Sequence, residues 1–504
     1  MSLPLSIPLW LPAAAAFLGL FLPGVASRAL AIAGALGAFA WTIWAIADFD
    51  RGAKGLQDVT DQMWIKPLGI HYKLGIDGLN LFLIAMAAFV FLMCIVWASR
   101  RTWANPGQFF FFFGVAESAV LGALMSQDLA LFVLFFDLML IPFLFLTGIW
   151  GPQGTRVAAI TKLFIYTLVG SLLMLAAAIA TGVLVSQQTG NDISFAFSDL
   201  AASPLGKGSQ EWIFLCFAAA FLVKMPAFPF HGWMPDGYGN MPLPVLAVFS
   251  AVLSKVAAYG FLRVVLPIFP DASAHFQTLM LILALCSILY GSALAFTSTS
   301  TRLVLGYSSI AQLGFIILGV FALNSDGAQG AILQAVNHGL VVAPAFVIVA
   351  YLADRAGGSE DLRDMGGIAF RAPVLAGLFL IVTLATLAMP GSSNFAGEFL
   401  ILLGVFHSQL VISIIAFTGV GMAAVYALRL FIRTMHNRVG PEVVSRDITL
   451  GEGLVLVPLV AVVVLLALVP QFALKRGERS ITKSVQPAAV IAGSDPTLEI
   501  TRIR

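Results

Sequence analysis

Long apolar stretches separated by short polar connections follow one another along nearly the whole chain. Because a helix that crosses a bilayer needs about 20 mainly apolar residues, this pattern predicts an all-α polytopic membrane protein with about fourteen transmembrane helices. Strands of a membrane β-barrel would alternate apolar with polar residues, and runs such as 109–113 show no alternation. The predicted helices, with boundaries set to within several residues, are 3–22, 28–48, 78–98, 108–126, 129–149, 160–185, 212–231, 243–266, 276–297, 302–322, 328–353, 374–404, 410–435 and 450–470.

The composition agrees with a membrane protein. Of 504 residues, 60% are hydrophobic and 10% are charged, against about 25% charged in an average soluble domain. A net charge of +2, with no basic runs interleaved with aromatic residues, predicts no nucleic-acid partner. The first stretch lacks the basic start and the small-residue cleavage site of a secretory signal, so we expect a retained helix.

The cysteine and histidine positions predict no metal and no cofactor on this chain. Cys94, Cys216 and Cys286 each lie alone inside a predicted helix, far from the C-x-x-C spacing of metal sites, and are expected in the core. The six histidines include no pair within one helix, and no Gly-x-Gly-x-x-Gly opens a nucleotide domain. A redox enzyme that binds haem or quinone on this chain is the alternative, which an optical spectrum would test.

Lysine and arginine in the short loops predict the orientation, because cytoplasmic connections retain cations. The short loops 126–128, 267–275, 323–327 and 405–409 contain neither residue, so the N-terminus is expected outside. Fourteen helices would also place the C-terminus outside, yet four basic residues follow the last helix. Either the tail crosses despite its charge, or the number of helices differs by one. The basic connections carry Arg28, Arg100, Arg101, Arg156, Lys162, Arg302, Arg355, Arg363, Arg371, Arg433, Arg438 and Arg446, and the tail carries Lys475, Arg476, Arg479 and Lys483.

Two predicted helices are interrupted by helix-breaking residues, the seventh at 223–229 with Pro226 and the twelfth at 389–394 with Pro390 and Gly391. Both should unwind within the membrane, where only protein or water can surround the freed backbone. If helices 4 to 8 form one set and helices 9 to 13 a second, each break lies in the fourth helix of its set. Because each set has an odd number of helices, the second copy is inverted in the membrane. Paired breaks in inverted halves indicate an ion path; two independent proline kinks are the alternative.

Five ionisable residues interrupt apolar helices: Asp137, Lys224, Lys255, His338 and Glu398. A charge at the bilayer centre costs at least about 3 kcal/mol on insertion scales, so it is seldom retained without a use. Burial favours the neutral form and an opposite charge restores the charged form, so such groups can exchange protons. The row therefore predicts a proton relay, with structural ion pairs between helices as the alternative.

Three further residues are candidate links between the relay and solvent. His231 ends the seventh helix and either connects the relay to water or caps a loop. Lys162 begins the sixth helix, where a snorkelling cytoplasmic anchor is the favoured interpretation. Glu117 lies within the fourth helix and either joins the relay or faces the water interface together with Ser118.

At these residues the sequence resembles the subunit M family of bacterial NADH:quinone oxidoreductase (respiratory complex I), the homologue of mitochondrial chain 4. The similarity runs from about residue 70 to about residue 435, and its motifs are specific to the antiporter-like subunits. The segments that carry it are 74–79, 222–226 with 231–236, 253–260 around Lys255, 334–339 around His338 and 389–399 around Glu398.

The resemblance implies a proton-translocating subunit of the bacterial cell membrane, without a cofactor of its own, beside two related antiporter-like subunits and lipid. It implies fourteen helices with two inverted five-helix repeats. The family's acid–lysine couple maps to Asp137 and Lys224, its central lysine to Lys255, its histidine to His338 and its terminal acid to Glu398. The chain would then divide into helices 1 to 3 (1–106), the first repeat (107–266), the second repeat (267–435), and the last helix with a polar tail (436–504).

Two positions depart from the family pattern. Asp137 stands where the family usually has glutamate, which changes its reach to Lys224, and Gln312 stands where relatives often have histidine. Subunits of multi-subunit cation/proton antiporters and of membrane-bound hydrogenases share this fold and relay. They are the alternative function, and the neighbouring genes would discriminate between the two.

Overall fold

The computed structural model describes residues 4–53 and 55–494. The chain is 77% helical, and within the described ranges eleven helices are long and apolar enough to cross a membrane. Ser6–Gly19 and Pro373–Thr386 are two shorter apolar helices. The predicted all-α polytopic membrane fold is confirmed; the number of fourteen crossings and the two inverted repeats stay predictions.

The helices follow the predicted stretches, with additional interruptions. The α-helices are α1 (Ser6–Gly19), α2 (Gly24–Asp48), α3 (Leu81–Ser99), α4 (Pro106–Met125), α5 (Leu129–Leu138), α6 (Leu140–Trp150), α7 (Arg156–Thr189), α8 (Phe197–Ala202), α9 (Lys207–Lys224), α10 (Met234–Asn240), α11 (Leu243–Val248), α12 (Ser254–Gly260), α13 (Leu266–Ile268), α14 (Pro270–His275), α15 (Gln277–Thr297), α16 (Thr301–Val320), α17 (Ser325–Arg355), α18 (Pro373–Thr386), α19 (Ser393–Ser408), α20 (Leu410–Met435), α21 (Leu450–Leu468) and α22 (Gln471–Ala492).

Between α2 and α3 the structure contains an antiparallel hairpin that the hydrophobic pattern does not predict. Strand β1 (Gln57–Ile65) pairs with β2 (Ile70–Ile76) through a 3-10 turn, Lys66–Leu68. Asp61 lies opposite Lys73 and contacts both Lys73 (3.0 Å) and His71 (2.7 Å). Burial raises the pKa of the Asp61 carboxyl, but the hydrogen bonds from His71 and Lys73 outweigh it, so the net pKa is below its ordinary value. Cross-strand charge pairs of this kind stabilise the pairing of the two strands.

The predicted polar tail folds as the amphipathic helix α22. Its buried residues Ala473, Gly477, Ile481, Val485 and Ala488 recur every three to four positions, which places them on one face. That face packs so closely on the chain before α3 that a side chain at Gly78 would collide with the backbone of Arg476. The amphipathic pattern of this helix is typical of an element that lies across the other helices rather than of one that spans a bilayer.

Contacts between connections define two opposite faces of the bundle. On the first, which we call the hairpin face, His71 donates its amide to Asp128 (3.2 Å), Trp10 bonds Tyr72 (3.2 Å), and Ser325 of the α16–α17 connection bonds Thr482 of α22 (2.8 Å). The start of α1 and the tail helix α22 thus lie on the same face, together with the connections that contain no Lys or Arg. An even number of crossings produces this arrangement.

The second face, which we call the basic face, carries the arginine-rich connections. Arg302 binds Glu360 through both of its carboxylate oxygens (2.7 and 2.5 Å), and Arg355 binds Glu452 in the same way (3.2 Å each). Arg101 reaches Asp354 at 3.5 Å. The basic tail residues of α22 lie on the opposite, hairpin face, where Arg479 binds the carbonyl of Gly52 (2.7 Å).

The core of the bundle lies around α17 and the helical segment 243–268. All residues in the most apolar 18-residue stretch of each are buried, whereas 33% of the residues in the corresponding stretches of α20 and α21 are buried. A charged residue on α17 or within 243–268 is therefore enclosed by protein, while α20 and α21 present apolar side chains outward, as lipid-facing helices do.

Candidate functional site

The first predicted break lies between α9 and α10, where Lys224 is the last residue of α9. Pro226 cannot donate a backbone hydrogen bond, and the freed groups are bound by neighbours. The indole of Trp233 donates to the carbonyl of Val223 (3.0 Å), and the hydroxyl of Ser287 accepts from the amide of Phe228 (2.9 Å). The side chains of Trp233 and Ser287 thus hold the unwound backbone beside Lys224.

Lys224 is 5% exposed and faces the end of α5. Its ammonium group donates to the carbonyl of Phe136 (3.0 Å) and lies 4.6 Å from the centre of the Phe136 ring. The carboxylate of Asp137, on the next residue, interacts with it electrostatically, and among the described residues no direct ion pair joins the two. The predicted acid–lysine couple is close in space but separated by more than a hydrogen-bond distance.

Asp137 is held by a residue that the sequence did not single out. Its carboxylate accepts a hydrogen bond from Ser171 of α7 at 2.5 Å. It lies one residue before the end of α5, and Met139 separates α5 from α6. The backbone stays helical across Met139, whose amide donates to the carbonyl of Phe135 (3.0 Å), so Asp137, unlike Lys224, does not lie at an unwound break.

Lys255 lies at the centre of the bundle and is 1% exposed. It is carried by the short helix α12, between two π-helical segments, Phe249–Leu253 and Phe261–Val265. Its ammonium group donates to the carbonyl of Ser250, five residues earlier, at 2.8 Å. π-Helical turns are rare and occur frequently at functional sites; here the widened turn provides an acceptor for the lysine.

His338 is 2% exposed and lies on α17, which packs against the helix α12 that carries Lys255. Its Nδ1 atom has no hydrogen-bond partner among the described residues. One turn earlier on the same helix, Gln334 points toward α16 and α19, where its amide nitrogen donates to Gln312 (2.7 Å) and to Glu398 (3.3 Å). Residues four apart share one face of a helix, so α17 connects the surroundings of Lys255 with those of Glu398.

Glu398 is the centre of a buried polar cluster that follows the second break. It lies in the second turn of α19 and is 3% exposed. The break itself spans 387–392, with Gly391 in the left-handed region at φ 93°. Tyr426 is 1% exposed and lies on α20, which packs against both α16 and α19. Within the described part of the chain, the Tyr426 hydroxyl and one Glu398 oxygen have no hydrogen-bond partner.

The candidate solvent links lie in different surroundings. Lys162 is partly exposed and pairs with Asp236 at 2.7 Å, close to the first break. The ring of His231 lies 5.2 Å from the ring of Tyr290, and its Nδ1 is buried without a partner among the residues described. Glu117 is completely buried within α4, and neither carboxylate oxygen has a partner in the described ranges. Glu117 therefore does not face the surface, and no hydrogen bond connects it to the row.

The structure thus brings the predicted row into three groups: Asp137 with Lys224, Lys255 with His338, and Glu398 with two glutamines. The sequence reasoning missed Ser171, the π-helical turns, and the contacts of Gln334 and Trp233. Gln334 could have been identified from its position four residues before His338, because this spacing places both side chains on one face of the helix. A lone serine such as Ser171 in an apolar helix carries no comparable signal.

Residues 126–423 match a family described as NADH:quinone oxidoreductase/Mrp antiporter transmembrane proteins. Subunit M of the NADH-quinone oxidoreductase of Rhodobacter capsulatus is 35% identical over 433 residues, which cover 84% of this chain and 84% of the relative.

Solved structures show the same architecture. A chain of respiratory complex I from Thermus thermophilus with bound NADH superposes with a TM-score of 0.87 at 30% identity, covering 96% of this chain and 99% of that chain. A chain of the Mrp complex from Dietzia sp. DQ12-45-1b gives a TM-score of 0.81 at 19% identity, covering 97% of this chain and 99% of that chain. The second likeness concerns the fold alone.

Proposed function

Because this chain belongs to the NADH:quinone oxidoreductase/Mrp antiporter family, as an antiporter-like membrane subunit similar to subunit M of the bacterial oxidoreductase, we propose that it translocates protons through a row of buried ionisable residues. The row runs from Asp137 and Lys224, through Lys255 and His338, to Glu398. The observation that carries the proposal is the position of α17, which packs against the helix that carries Lys255 and whose Gln334 donates to Glu398.

The chemistry of the row suits proton transfer. Lys224 and Lys255 each donate to a single neutral carbonyl, so neither is locked into a direct ion pair. A buried ammonium group without a direct carboxylate partner exchanges its proton more readily than one in a tight salt bridge. Glu398 and His338 each keep one polar atom without a partner among the described residues, and such atoms can hydrogen-bond ordered water that conducts a proton.

The proposed path has two ends. His231 and the pair of Lys162 with Asp236 lie beside the first break, and we propose that this region connects the row to water. At the other end, the cluster around Glu398 would pass the proton on. Glu117 is proposed as a separate buried acid, which takes up the role of Asp137 only if that residue proves dispensable.

The wider setting is also a proposal. We infer a subunit of the bacterial inner membrane with its N-terminus outside, in a membrane arm with two related antiporter-like subunits. The oxidation of NADH and the reduction of quinone would take place on other subunits, and this chain would carry no redox centre of its own.

The experiment compares variants in cells where the complex assembles. We expect Lys224→Ala and Glu398→Ala each to depress NADH oxidation linked to quinone and proton pumping together, because electron transfer and pumping share one free-energy cycle. Assembly, followed by immunoblot, should survive. The matched control is Lys207→Ala, which removes an exposed lysine from the other end of α9. Wild-type rates of NADH oxidation and of proton pumping in both relay variants would contradict a path through these residues.

A further inference from the structure

A cavity lies on the basic face, away from the proposed relay. It has a volume of about 580 Å³ and is lined by the end of α3, the end of α17 and the start of α21. Its lining combines aromatic and charged side chains. The residues include Trp97, Arg100, Arg101, Trp103, Tyr351 and Glu452.

The charges around this cavity do not cancel locally. Glu452 is already bound by both terminal nitrogens of Arg355 and by the backbone amide of Thr449. Asp354 is the only other acid in the lining and lies 3.5 Å from Arg101, in a pair that is largely exposed. Arg100 has no acceptor among the described residues. The described lining therefore contains two guanidinium groups and one carboxylate, that of Asp354, which is not already bound by Arg355.

Arg100 lies in a position that is unfavourable for a cation alone. Its guanidinium packs against Gly451, where any side chain would collide with it. Gly451 lies in the first turn of α21, a helix of 19 residues, and the first turn carries the positive end of the helix dipole. A cation at this end gains nothing from the dipole, whereas an anion between the cation and the helix start interacts favourably with both.

The aromatic residues place the cavity at the boundary between lipid and water. Trp97 stacks under Arg101, with the guanidinium 5.4 Å from the ring centre, and Trp103 stacks on Phe109 at 4.1 Å. Tryptophans at helix ends mark the headgroup level of a bilayer. Below the cavity, Leu454 and Val457 of α21 are 57% and 45% exposed, so an apolar outer surface continues from the charged site toward the bilayer centre.

We propose that this cavity binds the phosphate group of an anionic phospholipid, with the acyl chains along the outer surface of α21. Arginine suits this ligand because its planar fork matches the geometry of phosphate oxygens. A free phosphate would use the same two arginines, but only a lipid would also use the exposed apolar side chains of the next turns. The lipid would join the ends of α3, α17 and α21.

The test uses the assembled complex in nanodiscs with equal parts of phosphatidylglycerol and phosphatidylcholine. Trace amounts of a photoreactive phosphatidylglycerol or a photoreactive phosphatidylcholine are added in separate samples, and labelled peptides are identified by mass spectrometry. We expect phosphatidylglycerol to label peptides with residues 97–103 or 449–457 much more strongly than phosphatidylcholine does. Equal labelling by the two probes, or none, would overturn the proposal.

Two double variants test whether labelling depends on the arginines of this cavity or on positive charge anywhere on the basic face. The double substitution Arg100→Gln with Arg101→Gln should reduce labelling by about thirtyfold, because each arginine near the surface contributes about a fivefold preference for anionic lipid. The pair Arg433→Gln with Arg438→Gln removes the same charge from exposed arginines elsewhere on this face and should leave labelling unchanged. Wild-type labelling in the first double variant would refute the site.

The test is completed by one further variant and by competition with inorganic phosphate. Gly451→Ala keeps every charge but displaces Arg100, and it should also weaken labelling, which keeps the proposal testable if the double variant does not assemble. Excess inorganic phosphate should leave the labelling by phosphatidylglycerol intact. If inorganic phosphate abolishes labelling, the cavity is a site for free anions and the lipid assignment is wrong.

Discussion

The ammonium group of Lys224 donates its hydrogen bond to the backbone carbonyl of Phe136, at 3.0 Å, and not to the carboxylate of Asp137 on the next residue. A neutral carbonyl satisfies the geometry of the lysine, while the nearby carboxylate stabilises its charge from a greater distance. This arrangement lets the charge on Lys224 change without breaking a direct salt bridge. Four predictions concern this pair and the groups that hold the row in place.

The first prediction concerns the charge at position 137. Asp137→Asn removes the carboxylate that stabilises the charged form of Lys224, so we expect most proton pumping to be lost. Asp137→Glu keeps the charge and adds one methylene, and the family's usual glutamate indicates that the site accepts it, so most pumping should be retained. Pumping is measured in reconstituted vesicles and normalised to assembled complex by immunoblot.

A different result would mean that another acid partners Lys224. If Asp137→Asn pumps as well as the wild type, Asp137 is a bystander. Glu117, which is completely buried and has no hydrogen-bond partner among the described residues, would then be the first acid to test.

The second prediction concerns the hydroxyl that holds Asp137. Ser171→Ala removes a hydrogen bond to a charged group, and such bonds contribute about 1.5 to 3 kcal/mol. We expect the pumping rate to fall by up to about tenfold while assembly persists, because the carboxylate loses its fixed position. Thr167→Val is the control, since this hydroxyl on the same helix bonds only the carbonyls of its own helix. Equal effects of the two variants would show that Ser171 has no special role.

The third prediction concerns the glutamine between the two halves of the row. Gln334→Met removes the donor to both Gln312 and Glu398, which leaves the buried carboxylate without its amide partner. We expect pumping to fall severalfold with normal assembly. Gln329→Met makes the same change on the same helix, where the side chain bonds only Ser325. Unchanged pumping by Gln334→Met would exclude α17 as the connection proposed here.

The fourth prediction concerns the backbone at the first break. Trp233→Phe removes the donor to the freed carbonyl of Val223, and leaving a buried carbonyl unpaired costs about 1 to 3 kcal/mol. We expect a lower unfolding temperature of the subunit in the assembled complex. Trp41→Phe is the control, because Trp41 is also buried and its indole nitrogen has no partner in the described ranges. Equal decreases in unfolding temperature for the two variants would show that the smaller side chain alone causes the loss of stability.

The positions of the helices and of both predicted breaks follow directly from the sequence. Apolar stretches of bilayer length identify helices because an unpaired backbone is not tolerated in lipid. The prolines near Lys224 and Glu398 mark the breaks for the same local reason. The breaks appear at 225–229 and 387–392, against the predicted 223–229 and 389–394, so the second break begins two residues earlier than predicted. The hairpin, by contrast, is fixed by pairing between strands. Helix α22 has an amphipathic period of three to four residues, which a search for apolar stretches of bilayer length does not detect.

The sequence by itself determined that this chain is a helical membrane protein with buried charges, because hydropathy and the cost of burying a charge are properties of single residues and short segments. Only the tertiary structure decided which groups meet. It put the carbonyl of Phe136 under Lys224, Ser171 on Asp137, and Gln334 between Gln312 and Glu398. These contacts join residues 22 to 88 positions apart in the chain, and their distances depend on how helices pack, which no local pattern encodes.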